Sequence, residues 1–311
     1  MTFWLRNRRL LRVIGPDGPS LLQGLLTNDV TKLNDPACPA LCSFLLSARG
    51  RVLYDLLLYR QGQRTVDDIL VECDGVLADR LCSFLRRHTL RKRVDLQLES
   101  TKQVYHSLPG ASKPPCQRND IFVADPRLSS MGARWLSDRA PPAGNDPVDN
   151  RRLLEAYTNL RYSLALAEGG AEMPPDSSLP HEVGADILGA VSFTKGCYLG
   201  QEMIARVQHG GIVRKRLMAL QFDPADLPLM RLVQYNSAIF GSSSQNSKAP
   251  PVVVGRFKAA STQYAIATLN VAEAIRLGTV LLTVKEEEQD DSSRKIHCKV
   301  IRPQWWPTSV G

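Results

Sequence analysis

Two apolar runs joined by a short polar bend constrain the fold of this chain more than any other feature. The runs cover residues 41–48 and 52–59, and the bend between them is Arg49-Gly50-Arg51. Strands joined by so short a bend pair side by side in opposite directions, and glycine provides the backbone conformation that the bend needs. Further strand patterns lie close together along the chain, with helices between some of them. The sequence therefore predicts an α+β fold with antiparallel sheets rather than a doubly wound parallel fold.

The length of the chain and the change in its pattern indicate two domains. A chain of 311 residues, 43% of them hydrophobic and 23% charged, has the composition of an ordinary globular protein. We predict a first domain of two lobes over 1–210, with a linker near 139–150, where Pro, Gly and Asp are frequent. Over 211–311, short strands alternate with turns. This second region is predicted to be a small C-terminal β-barrel.

The charge, hydropathy and cysteine content of the chain limit the classes of partner and the compartment that we expect. The 39 Lys and Arg against 31 Asp and Glu give a net charge of +8, which favours anionic partners. The basic clusters have no aromatic residues between them as stacking platforms, which argues against nucleic acid. No run of residues is long and apolar enough to span a bilayer, so we expect no membrane partner. The seven cysteines are an odd number without a repeated spacing, which predicts free thiols in a reducing compartment.

The segment 191–202 contains the residues from which chemistry is expected. It places Cys197 between Gly196 and Gly200, with Lys195 two residues before the cysteine, and a helix is predicted to begin just after it. The positive end of a helix and a nearby ammonium both stabilise a thiolate. Gly196 would let a ligand approach the backbone without a side chain in the way. The residues alone leave two hypotheses open: a reactive thiol, or a small buried structural cysteine.

The octapeptide Lys195-Gly196-Cys197-Tyr198-Leu199-Gly200-Gln201-Glu202 resembles the hallmark of the YgfZ-type folate-binding proteins. These proteins are relatives of the aminomethyltransferase (T-protein) of the glycine cleavage system. Residues 22–29 resemble the first helix and turn of this family, and residues 48–55 resemble its hairpin. Matches at 125–134, 213–217 and 305–307 resemble the mitochondrial branch, whose eukaryotic members are iron-sulfur cluster assembly factors. The resemblance covers nearly the whole chain.

The resemblance implies an aminomethyltransferase-like fold of several lobes around a central folate-type pocket, together with the C-terminal β-barrel. It implies that Cys197 and Lys195 are the catalytic residues, and that Cys197 is a ligand or relay for a [2Fe-2S] or [4Fe-4S] cluster. It also implies contacts to tetrahydrofolate from residues in the first turn, the hairpin and the octapeptide. These residues are Gln23, Thr27, Asn28, Asp29, Tyr54, Gly196, Tyr198, Gly200, Gln201 and Glu202.

One thiolate cannot complete the set of four cysteines that such a cluster prefers, so a partner must supply the other ligands. The resemblance implies that the partners are A-type iron-sulfur scaffold proteins. We expect a monomer that forms heterocomplexes in the mitochondrial matrix, although no full presequence is visible in the chain. The main hypothesis is that the protein is an assembly factor in the maturation of [4Fe-4S] proteins. The resemblance also suggests a transferase, but this hypothesis favours a non-enzymatic role. The alternatives are a folate-dependent one-carbon transferase that uses a carboxylate such as Asp29 or Asp55, and a basic RNA-binding module.

Overall fold

The computed structural model describes most of the chain. The described residues are 1–61, 67–139, 147–241, 252–285, 293–308 and 310. Most of the predicted linker near 139–150 lies outside them, and a helix begins at Pro147. The chain divides into two compact units, while the predicted domains 1–210 and 211–311 stay a prediction. The first unit comprises Met1–Leu154, Glu168–Pro180 and Ala185–Gly211, and the second comprises Glu155–Ala167, His181–Gly184 and Ile212–Gly311.

The first unit contains two antiparallel sheets. Its strands are β1 (Thr2–Trp4), β2 (Arg8–Ile14), β3 (Ala40–Leu46), β4 (Val52–Arg60), β5 (Asp68–Asp74), β6 (Asp95–Leu98), β7 (Gln103–Ser107), β8 (Ile121–Ala124) and β9 (Ala133–Ser137). One sheet has the order β3-β4-β5-β2-β6, and the other has the order β1-β7-β9-β8. Together with the helices, these sheets confirm the predicted α+β class.

The β3–β4 hairpin has the geometry that its sequence predicts. Its strands pair from Ala40 opposite Tyr59 onward, and a bulge near Leu46 lies next to the bend. Gly50 has a φ of 76°, in the left-handed region, and its N–H donates to the Ser47 carbonyl at 2.8 Å. Glycine adopts this conformation without a steric penalty, so the residue fixes the position of the bend.

The helices are mostly short and lie between the strands. They are α1 (Gly18–Leu25), α2 (Ala78–Arg87), α3 (Pro147–Ser163), α4 (Gly169–Glu172), α5 (Gln201–Gly210), α6 (Leu227–Met230) and α7 (Val271–Leu277), and 3-10 turns cover Val30–Asn34, Ser129–Met131 and Pro224–Asp226. In α1, Leu21, Leu22 and Leu25 form one buried stripe that belongs to the core shared with β3 and β4. Within the described ranges, no helix has both the length and the hydropathy needed to cross a membrane.

A network of buried charges joins the two sheets of the first unit. Arg134 on β9 pairs with Glu72 on β5 at 3.3 Å and with Glu168 at 3.2 Å. Glu72 also pairs with Arg8 on β2 at 2.8 Å. Burial and the charge of Arg134 lower the pKa of His106 on β7 to about 3, so this histidine is neutral at pH 7. Because a buried charge without a partner is costly, the network favours one arrangement of the two sheets.

The second unit contains a closed six-stranded barrel, as the C-terminal pattern predicts. Its strands are β10 (Lys215–Phe222), β11 (Ala238–Gly241), β12 (Val253–Ala260), β13 (Tyr264–Asn270), β14 (Thr279–Lys285) and β15 (Ser293–Ile301). They close in the order β10-β13-β12-β11-β14-β15. Closure leaves no unpaired strand edge, and side chains such as Met218, Ile266 and Leu282 are fully buried.

Candidate functional site

The segment 191–202, called the cysteine segment below, is held against the turn that follows α1. The Ser192 N–H donates to the Thr27 carbonyl at 2.9 Å, and the Leu199 N–H donates to the Gly24 carbonyl at 3.1 Å. These two bonds lie on either side of Cys197. The segment is therefore fixed at both ends by main-chain hydrogen bonds within the first unit.

Two of the predicted folate residues make further bonds to the residues immediately before this segment. The Thr27 hydroxyl donates to the Ala190 carbonyl at 2.7 Å and accepts from the Phe44 N–H at 2.9 Å. The Asn28 amide donates to the Gly189 carbonyl at 3.0 Å and to the Cys42 carbonyl at 2.7 Å. Thr27 and Asn28 are both buried. Their bonds connect the start of the cysteine segment to β3. The sequence had suggested instead that these two side chains contact a ligand.

Lys195 directs its charge toward the same turn. Its Nζ donates to the carbonyls of Leu26 and Asn28, both at 2.8 Å, and lies 5.1 Å from the centre of the Tyr198 ring. Burial lowers the pKa of Lys195 to about 8, against the opposing charge of Asp29. Its hydrogen bonds thus go to carbonyl oxygens rather than to a thiolate. The predicted catalytic role of Lys195 stays a prediction, and its structural role is evident.

The glycine that follows Cys197 brings α5 against the hairpin bend. Gly200 precedes the first residue of α5 and has a φ of 79°. A Cβ at this position would overlap the Ser47 carbonyl oxygen and lie 2.9 Å from the Leu46 Cβ. The Gln201 side-chain oxygen accepts from the Tyr198 N–H at 3.0 Å, which closes the turn before the helix. The octapeptide and the hairpin therefore form one packed unit.

Cys197 itself is exposed. This excludes the alternative of a buried structural cysteine at this position. In contrast, burial raises the pKa of Cys42, Cys73 and Cys298 to about 12, which keeps those thiols protonated and inert. Among the residues with described positions, no group of three or more His, Cys, Asp or Glu could hold a metal ion. Cys197 is thus an accessible thiol around which the described part of the chain places no ligand set.

The predicted folate residues offer few unengaged polar atoms. The Gln23 amide donates to Asp29 at 2.9 Å and accepts from the Val30 N–H at 2.8 Å, and Thr27 and Asn28 are engaged as above. Burial opposes ionisation of Asp29, but hydrogen bonds from Thr31 and Gln23 outweigh it and lower its pKa. Much of the hydrogen-bonding capacity of these side chains is therefore used within the protein.

The other predicted folate residues lie in different settings. Tyr54 is in the core beneath α1, and burial raises its pKa. Tyr198 is also buried, which raises its pKa to about 12. Gly196 and Glu202 are exposed, and Gly200 and Gln201 shape the start of α5. Apart from Tyr54, these residues belong to the cysteine segment itself, and tetrahydrofolate binding stays a prediction.

Sequence reasoning missed two features of the site. It did not identify the carbonyls of Leu26 and Asn28 as the acceptors for Lys195, since main-chain acceptors leave no trace in the sequence. It also left Phe193 without a role, although this aromatic side chain is 46% exposed four residues before the cysteine. A phenylalanine in a polar and glycine-rich stretch is the signal that points to it.

Comparison with known proteins identifies relatives over nearly the whole chain. Human iron-sulfur cluster assembly factor IBA57, mitochondrial, is 33% identical over 325 residues, which cover 98% of this chain and 85% of that protein. The mouse protein of the same name is 30% identical over 324 residues, with 99% and 86% covered. No protein-family model matches the chain.

A solved structure supports the fold. The glycine cleavage system aminomethyltransferase T from Bartonella henselae matches with a TM-score of 0.62 and 13% identity, over 98% of this chain and 86% of that one. At this identity the likeness shows the fold alone, and it confirms the predicted aminomethyltransferase-like architecture. The names of the relatives confirm the predicted family and mitochondrial location. The chain belongs to the IBA57 family of mitochondrial iron-sulfur cluster assembly factors.

Proposed function

We propose that this protein is an iron-sulfur cluster assembly factor in which Cys197 provides one ligand to a cluster that a partner protein also holds. The observation that carries the proposal is the exposure of Cys197 on a segment fixed at both ends by hydrogen bonds. An exposed thiol can reach iron, and a fixed backbone lowers the entropy lost when it binds. Upon binding, the thiol loses its proton to solvent and the thiolate sulfur forms a bond to iron.

The ligand count supports a shared cluster. An iron-sulfur cluster prefers four cysteine thiolates, and the described residues contain no cluster of potential ligands around Cys197. The cluster is therefore cargo that two proteins hold between them. Cys197 acts either as a lasting ligand or as a relay during transfer of the cluster. We propose that the partner is an A-type iron-sulfur scaffold protein, and that one copy of this chain forms a heterocomplex with it. The complex would act in the maturation of [4Fe-4S] proteins in the mitochondrial matrix.

The transferase alternative receives less support from the carboxylates that it needs. Hydrogen bonds to Asp29 lower its pKa, which makes it a weak base. Asp55 is paired with Arg8 at 3.0 Å and accepts from the Gly169 N–H at 3.0 Å, so both of its oxygens are engaged. Burial raises the pKa of Asp55, which is the direction that suits a general base, but the pairing of one oxygen with Arg8 and the hydrogen bond of the other from Gly169 oppose proton transfer at this group. The proposed function consequently uses no step through tetrahydrofolate.

Anaerobic reconstitution with an A-type scaffold protein tests the proposal. We expect the wild-type heterocomplex to show the visible absorption and paramagnetic spectra of a cluster, and Cys197→Ser to lose them. Cys116→Ser is the matched control, because Cys116 is also an exposed thiol but lies on a different loop of the same unit. Unchanged spectra in the Cys197→Ser complex would contradict the proposal.

A further inference from the structure

We propose that the end of α2 and the turn after it bind the surface of a membrane that contains anionic lipids. This segment, called the basic turn below, covers residues 86–93 of the first unit. Its five cationic residues are all exposed: Arg86, Arg87, Arg91, Lys92 and Arg93. The inference goes beyond the proposed function. The expectation of no membrane partner rested on the lack of a spanning segment, which a surface contact does not need.

The basic turn carries an unbalanced positive charge. Over residues 80–94 the sequence contains six Lys and Arg and no Asp or Glu. Arg93 pairs with Asp17 at 3.4 Å, whereas no carboxylate in the described ranges of the chain pairs with Arg87 or Arg91. A local excess of cations attracts an anionic surface, and each Lys or Arg close to anionic lipids contributes about fivefold to the affinity.

The backbone of the basic turn holds Arg91 in a conformation that favours glycine. The Lys92 N–H donates to the Thr89 carbonyl at 2.7 Å, which closes a four-residue turn with Leu90 and Arg91 at its centre. Arg91 has a φ of 61°, in the left-handed region, where the third residue of a turn is usually Gly or Asn. Strained residues of this type concentrate at functional sites. The strain at Arg91 thus indicates a function for the guanidinium at the tip of the turn.

Leu90 presents an apolar side chain on a rigid support. It is 81% exposed, although hydrogen bonds fix the backbone on both sides of it. The Thr89 hydroxyl donates to the Arg86 carbonyl at 2.8 Å, and the Arg93 N–H donates to the Asp17 carboxylate at 2.8 Å. A single exposed leucine is ordinary. A leucine at the tip of a fixed turn, among cations, matches a membrane interface, where apolar groups enter the acyl boundary and charged heads stay at the headgroups.

The aromatic ring near the basic turn is already covered, which argues against nucleic acid as the occupant. Phe84 is the only Phe, Trp or Tyr over residues 80–94. His88 stacks on its ring with 4.4 Å between the ring centres, and the Arg87 guanidinium lies 5.8 Å from the centre of the same ring. Proteins that bind single-stranded nucleic acid stack bases on exposed aromatic side chains. A bilayer needs no such ring, and it accepts the side chain of Leu90 without a shaped pocket.

Co-sedimentation of the whole chain with lipid vesicles tests the proposal. We expect binding to vesicles of phosphatidylcholine and cardiolipin, and none to vesicles of phosphatidylcholine alone. Binding should be lost at about 1 M salt, where the Debye length is about 3 Å. Equal binding to both kinds of vesicle, or no binding to either, would overturn the proposal.

Arg91→Gly separates binding from stability. Glycine adopts a left-handed φ without a steric penalty, so the melting temperature of the isolated protein should not fall. The same variant is expected to bind the anionic vesicles about fivefold more weakly, because it lacks one guanidinium. Arg118→Gln is the matched control, since it removes another exposed arginine of the first unit, before β8, and it should bind as the wild type does. An equal loss of binding in both variants would overturn the assignment to the basic turn.

Removal of the leucine is an independent second test. Leu90→Ser is expected to weaken vesicle binding about tenfold, because the apolar contact with the acyl boundary is lost. Its melting temperature should equal that of the wild type, since the side chain is exposed. Val76→Ser, which removes an 88% exposed apolar side chain just before the other end of α2, should leave the affinity unchanged. Wild-type affinity in both Leu90→Ser and Arg91→Gly would overturn the proposal.

Two further measurements address the other occupants and the independence from cluster binding. Poly-glutamate or single-stranded RNA that binds more tightly than the anionic vesicles at the same salt concentration would assign the basic turn to a soluble polyanion and overturn the lipid assignment. Cys197→Ser should bind the vesicles as the wild type does. A loss of vesicle binding in Cys197→Ser would place the contact elsewhere and overturn the proposal, whereas loss of the cluster alone concerns only the proposed function.

Discussion

A single ammonium group holds the middle of the cysteine segment. Lys195 Nζ donates to the carbonyls of Leu26 and Asn28, two buried residues of the turn after α1. In Lys195→Met both carbonyls lose their donor, and an unsatisfied buried acceptor costs about 1–3 kcal/mol. We expect the free energy of unfolding, measured by urea titration, to fall by about that amount. Amide hydrogen exchange over residues 196–199 should become faster in the same variant.

A second lysine on the same turn provides the control. Lys32 is exposed and donates to the Asn28 side chain at 3.2 Å. Lys32→Met should change the free energy of unfolding by no more than about 0.5 kcal/mol, as usual for a surface substitution. If Lys195→Met were equally harmless, the two carbonyl bonds of Lys195 would be irrelevant to the stability of the segment.

At the scale of elements, the start of α5 depends on its fit to the hairpin bend. Gly200 needs a left-handed φ, and a Cβ there would overlap the Ser47 carbonyl oxygen. Gly200→Ala therefore combines backbone strain with a clash against a main chain that cannot move independently, and we expect a loss of about 2–4 kcal/mol. Gly196→Ala, which has neither problem, should be nearly neutral. Urea unfolding of both variants gives the comparison, and equal stabilities would refute the packing argument.

The same elements show what the sequence can predict and what it cannot. The hairpin and the barrel strands follow local patterns, alternation of side chains and glycine at bends, which can be detected without knowledge of tertiary structure. The pairing of β1 with β7 joins Thr2 to Ser107, across more than a hundred residues, and no local pattern encodes it. For the site, the octapeptide predicted that Cys197 is the residue on which the chemistry depends. The hydrogen bonds to main-chain carbonyls, which decide where Lys195 points, depend on a fold that has to form first.

At the scale of the molecule, the charges buried between the two sheets of the first unit act as a cooperative set. Arg134 pairs with Glu72, Asp125 and Glu168, and its side chain is fully buried. Arg134→Met leaves these carboxylates without that partner. Breaking a buried pair on one side costs about 3–5 kcal/mol, so we expect a loss of this size in urea unfolding. Arg12→Met removes a half-exposed pair with Asp68 and should cost about 1 kcal/mol or less; equal losses would mean that burial of the network is unimportant.

The network also sets how stability responds to acid. Burial, assisted by the charge of Arg134, lowers the pKa of His106 to about 3, whereas an unfolded histidine titrates near 6.5. Between these values the unfolded chain binds a proton that the folded chain does not bind, so stability falls as the pH falls from about 6.5 toward 3. The slope from this group approaches about 1.4 kcal/mol per pH unit. Carboxylates whose pKa is lowered on folding, such as Asp125, lose their contribution to the free energy of unfolding only below about pH 4.

The window between pH 6.5 and 4.5 consequently separates the histidine from carboxylates whose pKa is lowered on folding, such as Asp125, while Asp55, whose pKa is raised by burial, is common to the wild type and the variants. We expect His106→Gln, which retains an acceptor for Arg134, to flatten the pH dependence of the free energy of unfolding in this window. His297→Gln, at an exposed position on β15, is the control and should keep the slope of the wild type. Urea titrations at a series of pH values give the slopes directly. A wild-type slope in His106→Gln would mean that another group produces the pH dependence in this window, and that His106 does not lose its proton on folding.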